Sequence, residues 1–128
     1  MPASMETNAN ETAFSILVVD DDALVLMSTC AMLEDLGHTV FEATSGKQAL
    51  GILESGAHVD LVITDQAMPD MSGLQLALEL ESRRPRLPIV LATGYSDLPE
   101  GSPPYPMLGK PFNEDDLART IREALKRG

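Results

Sequence analysis

The sequence is poor in cysteine and in basic residues, and it lacks any long apolar run. Its single cysteine, Cys30, excludes an internal disulfide, and its place in a predicted helix favours a packed side chain over a catalytic thiol. Nine Lys and Arg stand against 20 Asp and Glu, a net charge of −11, so we expect binding neither to nucleic acid nor to a membrane. No apolar stretch approaches the roughly 20 residues of a membrane span. We therefore expect a cytoplasmic protein.

The start of the chain also lacks the basic and apolar regions of a secretory signal. It reads MPASMETNANETA, and we expect residues 1–13 to be a flexible leader before a single domain at 14–128. The two histidines, His38 and His58, have no third ligand at zinc spacing, so we expect no chemical role for them.

What the sequence does contain is an alternation of short apolar runs with segments of helical periodicity. Five runs predict strands: SILVV at 15–19, TVFEA at 39–43, DLVIT at 60–64, IVLAT at 89–93 and the weaker PMLG at 106–109. Strands that are apolar throughout are covered on both faces. The pattern therefore predicts an α/β fold, a parallel sheet with helices on each side.

The first two predicted helices end at Gly37 and near Gly56, and the third begins near Gly73 and ends before Pro85. Three residues are expected to cap them: Asp22, Ser45 and Asn113. In the first helix two apolar sets recur at helical spacing: Leu24, Met27 and Ala31, and Val25, Met32 and Leu36. Between the fourth and fifth strands, four prolines interrupt residues 94–106, so the helix expected there should be short, irregular or missing.

Polar side chains stand where four of the strands end. Asp20 and Asp21 follow the first, Asp65 the third and Lys110 the fifth, while Thr93 ends the fourth. The carboxyl ends of parallel strands share one edge, where ligands bind in open α/β sheets. Clustered carboxylates suit Mg²⁺, and with an ammonium and a hydroxyl group they can stabilise a transferring phosphoryl group, which a carboxylate can accept.

Four motifs together resemble the receiver domain of two-component response regulators. They are LVVDDD (17–22), LVITDQAMPDMSG (61–73), IVLATG (89–94) and LGKPF (108–112). The resemblance runs from about Phe14 to Arg127. It implies a flavodoxin-like, doubly wound sheet of five parallel strands in the order 2-1-3-4-5, and a phosphoacceptor in a phosphorelay.

The resemblance also implies a role for each residue of the acidic motifs. Asp65 would be the phosphoacceptor, and Mg²⁺ or Mn²⁺ would be bound directly by Asp21 and largely through water by Asp20. The carboxylate of Asp65 and the main-chain carbonyl of Ala67 would complete the protein ligands of the metal.

On the other side of the site, the resemblance assigns the contacts to the phosphoryl group. Lys110 would pair with its oxygens, Thr93 would hydrogen-bond them after phosphorylation, and the amide of Gly94 would contribute. The Lys110–Pro111 bond is often cis in this family. A histidine kinase or histidine phosphotransfer protein would supply the phosphoryl group, and a downstream protein would respond to it.

The sequence departs from the family pattern at the aromatic switch position, where it has Met107. Tyr95 and Tyr105 are alternative candidates for that role. The stretch LPIVLATGY resembles both stand-alone receivers and the receiver modules of hybrid kinases. Because the chain ends after the last predicted helix, we expect a module without an output domain of its own.

Three other functions compete with this interpretation. Phosphatases with an aspartate nucleophile have the pattern Asp-x-Asp-x-Thr after the first strand, whereas residues 20–24 of this chain read DDDAL and lack the threonine. A degenerate receiver that only binds proteins would not need Asp21, Asp65, Thr93 and Lys110, and the presence of all four argues against it. A flavin-binding protein would have a phosphate-binding loop rich in Ser and Thr after the first strand, which this sequence lacks. We therefore expect a phosphoacceptor without separate substrate turnover.

Slow hydrolysis of the acyl phosphate is a first prediction. Ala67 and Tyr95 occupy the two positions that tune this reaction in the family; Ala67 offers no group to orient a water molecule, and Tyr95 would shield the phosphoryl group. A timed assay of the acyl phosphate measures its loss, and rapid loss of label would contradict the prediction.

Overall fold

A computed structural model describes residues 13–94 and 104–127. The strands are β1 (Ser15–Val19), β2 (Thr39–Ala43), β3 (Leu61–Asp65), β4 (Ile89–Thr93) and β5 (Met107–Gly109). The helices in these ranges are α1 (Ala23–Asp35), α2 (Gly46–Glu54), α3 (Gly73–Arg83) and α4 (Glu114–Arg127). All five predicted strands are therefore confirmed, although β3 lies one residue later than predicted and β5 starts one residue later.

The five strands form one parallel sheet in the order β2-β1-β3-β4-β5. This confirms the flavodoxin-like α/β fold and its strand order. The central pairing of β1 with β3 brings the ends of these two strands side by side. Two expectations fall mostly outside the described residues. Residues 1–12 of the flexible leader are not described, nor are residues 95–103 of the segment in which a short, irregular or missing helix is expected.

Alternate residues of β1 point into two separate cores, one on each face of the sheet. Ile16 and Val18 pack with buried residues of α1 and α4, whereas Leu17 and Val19 pack with those of α2 and α3. This arrangement confirms the doubly wound architecture, because burial of both faces requires helices on both sides. Among the described residues, no helix is long and apolar enough to cross a membrane.

Helix α1 is apolar on both sides, and the sequence alone did not identify its buried face. Its buried residues are Leu26, Thr29, Cys30 and Leu33. Of the first apolar set noted above, Leu24 is 76% exposed and Met27 is 65% exposed. Burial raises the pKa of the Cys30 thiol to about 12, with Glu42 adding to the effect, which agrees with a packed residue rather than a reactive one.

The predicted helix caps are present. Asp22 accepts hydrogen bonds from two backbone N–H groups in the first turn of α1, and Ser45 accepts one in α2. Asn113 accepts from the N–H of Asp116, and the Asp116 carboxylate accepts from the N–H of Asn113. Ser72 caps α3 through a reciprocal capping box. These bonds satisfy N–H groups that have no partner inside a helix.

The close approach of α3 to β3 leads to a prediction about Gly73. A Cβ atom at this position would lie 2.5 Å from the main-chain oxygen of Asp65 and 3.0 Å from Cα of Gln66. Because both contacts are with backbone, Gly73→Ala should lower the free energy of unfolding by about 1–3 kcal/mol, the usual cost of overpacking. Denaturant unfolding measures this change.

The matched control is Gly51→Ala in α2, where a Cβ atom meets nothing within 4 Å. There the gain in helix propensity should raise the free energy of unfolding by about 0.5–1 kcal/mol. Equal effects of the two substitutions would contradict the steric explanation.

Candidate functional site

An acidic cluster, defined as Asp20, Asp21 and Asp65, lies at the carboxyl edge of the sheet. Asp20 directly follows β1 and Asp65 ends the neighbouring strand β3. Each of the three contributes an oxygen, and these oxygens all lie within 4.8 Å of one another. Asp20 is 4% exposed and Asp65 is 5% exposed, whereas Asp21 is open to solvent. The fold thus buries two of the three carboxylates, while the third, that of Asp21, stays open to solvent.

The consecutive aspartates that follow β1 have separate structural settings. The Asp20 carboxylate accepts a hydrogen bond from the main-chain N–H of Asp22 at 2.9 Å, and the main-chain N–H of Asp20 donates to Ala43 at 3.1 Å. The Asp22 side chain caps α1, as predicted. Asp21 lies between these two anchored residues, with its carboxylate at the cluster.

Lys110 connects two members of the acidic cluster. Its Nζ lies 2.7 Å from Oδ1 of Asp65 and 3.3 Å from Oδ2 of Asp20. The main-chain N–H of Lys110 donates to the carbonyl of Thr93 at 2.8 Å, which fixes the lysine to the end of β4. The Lys110–Pro111 bond is cis. One ammonium group therefore offsets part of the repulsion between two buried carboxylates.

The site shifts the pKa of both partners in this ion pair. Burial raises the pKa of Asp65; the hydrogen bond from Lys110 opposes this, but the negative charges of Asp20 and Asp21 add to it. For Lys110, burial alone would lower the pKa, but the hydrogen bond to Asp65 and the nearby negative charges raise it overall. Burial and the two neighbouring carboxylates therefore outweigh the stabilisation that Lys110 gives to the ionised form of Asp65.

Thr93 and Ala67 lie at the same edge of the sheet. Thr93 is buried at the end of β4, one residue after Ala92, the residue paired with Asp65 in the neighbouring strand. Ala67 is exposed, two residues after Asp65. The structure thus brings the side chains of the acidic cluster and of Lys110 together. Strand pairing places Thr93 beside them, and Ala67 follows Asp65 in the chain.

Gln66 is a residue of this edge that sequence reasoning missed. Its side-chain Oε1 accepts a hydrogen bond from the main-chain N–H of Leu74, eight residues later, at 2.8 Å. Nothing in the local pattern predicts this contact. The capping box between Ser72 and Gln75, in contrast, matches the S-x-x-Q signature and could have been predicted from the sequence.

Tyr105 lies away from the acidic cluster. It precedes β5, close to the start of β4, and its hydroxyl group donates a hydrogen bond to Glu81 of α3. Burial raises the pKa of Tyr105 to about 12, with Glu81 adding to the effect. Met107, at the usual aromatic position, is 44% exposed. The other candidate, Tyr95, is outside the described residues.

The two histidines lie near the opposite edge of the sheet, where β1 begins. Nδ1 of His38 accepts a hydrogen bond from the main-chain N–H of Phe14 at 3.1 Å, and the two rings stack. Nε2 of His58 lies 2.9 Å from the carboxylate of Asp60. Both contacts are remote in the fold from the acidic cluster.

The raised pKa of Asp65 predicts how stability depends on pH in the metal-free protein. Since the native state favours the protonated acid, the stability associated with Asp65 is greatest below its unfolded pKa and is lost as pH rises through the native pKa. Asp65→Asn should therefore unfold at a higher temperature than wild type at pH 7 with a chelator present. The difference should shrink towards pH 4. A variant less stable than wild type at pH 7 would contradict this.

Comparison with known proteins agrees with this geometry. A family model described as "Response regulator receiver domain" matches residues 16–122. The chain is 36% identical over 120 residues to the sensor kinase CckA of Brucella abortus, covering 88% of this chain and 13% of that protein. It is 32% identical over 117 residues to the transcriptional regulatory protein FixJ of Azorhizobium caulinodans, covering 86% of this chain and 54% of that protein.

Solved structures give the same result. A receiver domain protein from Clostridium thermocellum superimposes with a TM-score of 0.78 at 32% identity, covering 89% of this chain and 95% of that one. A receiver protein from Sinorhizobium medicae gives a TM-score of 0.76 at 32% identity, with the same coverage. The chain therefore spans only part of the two curated relatives, but almost all of these two receiver structures. It belongs to the receiver domains of response regulators, the phosphoacceptor modules of two-component systems.

Proposed function

We propose that Asp65 accepts a phosphoryl group from a phosphohistidine on a histidine kinase or a histidine phosphotransfer protein. The observation that carries this proposal is the position of Lys110, whose Nζ lies 2.7 Å from Asp65 and 3.3 Å from Asp20. A cation held against the acceptor oxygen can also contact the oxygens of an incoming phosphoryl group, where negative charge is concentrated during transfer.

In the transfer step, a carboxylate oxygen of Asp65 attacks phosphorus and the phosphorus–nitrogen bond of the donor breaks. The electron pair of that bond stays on the imidazole nitrogen. A donor in its imidazolium form leaves as neutral imidazole, so Asp65 supplies no proton. The attacking form of Asp65 is the ionised one, and the hydrogen bond from Lys110 favours that form.

The acidic cluster has the donor set that a magnesium or manganese ion requires. Its three carboxylates offer oxygen ligands within 4.8 Å of one another. In this proposal Asp21, Asp65 and the main-chain carbonyl of Ala67 bind the ion, and Asp20 contacts it largely through water. When bound, the ion supplies positive charge that neutralises the phosphoryl oxygens. That charge would also offset those of Asp20 and Asp21, which add to the effect of burial in raising the pKa of Asp65.

Thr93 and Lys110 act on the phosphoryl group after transfer in this proposal. The buried hydroxyl of Thr93 donates a hydrogen bond to a phosphoryl oxygen, and Lys110 pairs with another. The amide of Gly94, next along the chain, adds a backbone donor. The event is a local change of charge that shifts the population of conformers. The protein then binds a downstream partner differently or passes the phosphoryl group onward, without separate substrate turnover.

An apolar groove of about 520 Å³ beside Lys110 gives the phosphodonor a place to dock. Leu24 forms one side of it from α1, and Pro111 and Phe112 form the other. Leu24 and its neighbour Met27 are more than half exposed. Exposed apolar side chains beside Lys110 fit a protein partner better than a small soluble substrate. We assign the receiver unit to residues 14–128.

Self-labelling by a small phosphodonor tests the proposed function. Incubation with Mg²⁺ and acetyl phosphate should add one phosphoryl group to the wild-type chain, detected by intact mass. Asp65→Asn should gain none, because an amide is not a nucleophile for this transfer. The label should appear as a single burst, and continued turnover of a phosphate ester would instead indicate a phosphatase.

The matched control is Asp22→Asn, which removes a neighbouring carboxylate at the same edge. Asparagine caps helices as well as aspartate does, so α1 should be retained. This variant should be labelled like wild type. Labelling of Asp65→Asn, or loss of labelling in Asp22→Asn, would refute the assignment of Asp65 as the acceptor.

A further inference from the structure

Gln66 joins the phosphoacceptor strand to the first turn of α3. Its side-chain Oε1 accepts from the main-chain N–H of Leu74 at 2.8 Å, and its main-chain oxygen accepts from the N–H of Gly73 at 3.0 Å. The first N–H groups of a helix have no acceptor within the helix. Gln66 therefore satisfies two of these groups from outside α3, one with its side chain and one with its backbone.

The backbone of Gln66 is also bonded to the neighbouring strand β4 and to Met68 within its own loop. Its main-chain N–H donates to the carbonyl of Ala92 in β4 at 3.0 Å, and its main-chain oxygen accepts from the N–H of Met68 at 3.2 Å. Ala67 thus sits in a tight turn, residues 66–68, whose first residue is tied both to the sheet and to α3. Both sets of bonds lie directly beside the Ala67 peptide.

We propose that Gln66 is a positioning residue for the metal site. By binding the N–H of Leu74, its side chain holds the 66–68 turn and hence the main-chain carbonyl of Ala67. This inference rests on the proposed function, in which that carbonyl is a ligand of Mg²⁺. It adds a side chain that does not belong to the acidic cluster and acts on the ion through the backbone.

The physical reason is preorganisation of a ligand. A carbonyl held in the binding orientation loses little freedom when a cation binds, whereas a mobile one must be ordered at that moment. Residues that orient metal ligands commonly change affinity by about 10–100-fold when replaced. Without the Oε1 acceptor, the N–H of Leu74 turns to water, and the 66–68 turn retains only its backbone bonds.

The experiment compares two glutamines at the same helix end. Gln75 also uses Oε1 to accept a main-chain N–H, that of Ser72, at 2.8 Å. Gln75→Met therefore removes one capping bond from α3 and leaves the Gln66–Leu74 bond in place, whereas Gln66→Met removes that bond with a side chain of similar length. The Mg²⁺ dissociation constant of each full-length variant is measured by calorimetry with Mg²⁺ alone.

Gln66→Met should weaken Mg²⁺ binding about tenfold, while Gln75→Met should bind like wild type. Both should melt at lower temperature than wild type, because each loses a cap. Hydrogen exchange provides a structural readout: the Leu74 amide should exchange faster in Gln66→Met, and the Ser72 amide in Gln75→Met. Where Gln66→Met does not fold, Gln66→Asn, one methylene too short to keep the bond, takes its place.

Unchanged Mg²⁺ affinity in Gln66→Met overturns the inference and leaves the proposed function intact. Equal weakening in both variants also overturns it, because the effect would then come from general loosening of α3. If wild type itself does not bind Mg²⁺, the metal site of the proposed function fails and this inference fails with it. Wild-type binding therefore separates the two failures.

Discussion

Repulsion among three carboxylates at the end of two adjacent strands is the constraint on which the site depends. Asp20 and Asp65 are almost fully buried, and Asp21 lies within reach of both. Such a group is tolerated only with compensating charge or by protonation. Lys110 supplies one positive charge, yet the pKa of Asp65 is still raised. Burial is the largest cause of that raised pKa, and the charges of Asp20 and Asp21 add to it. Carboxylate oxygens are the ligands that a divalent cation such as Mg²⁺ prefers.

The fold supplies this constraint through the order of its strands. Because β1 and β3 are neighbours in a parallel sheet, their carboxyl ends lie at one edge. β4 and β5 follow on the far side of β3, which brings Thr93 and Lys110 to the same edge. The helices on both faces bury the apolar residues of the sheet. The topology thus accounts for the location of the site.

The sequence predicted the strands well, because most of them are short apolar runs that stand out from the helical segments between them. It also predicted which polar residues share the edge, since parallel topology brings strand ends together. It did not identify the buried face of α1, where apolar residues on both sides leave periodicity without a preference. Nor did it reveal the contact between Gln66 and Leu74, which depends on how closely α3 approaches β3 in three dimensions.

Helix α1 packs into the core with one side and exposes apolar residues on the other, and this division has an evolutionary consequence. Leu33 and Cys30 carry the packing of this helix, while Leu24 and Met27 contribute little to it. Substitutions at the outer positions therefore have small effects on folding. Under the docking proposed above, changes at those positions would alter which partner binds while the buried carboxylates and Lys110 stay in place. Two copies of such a chain would then need few substitutions to serve separate signalling routes.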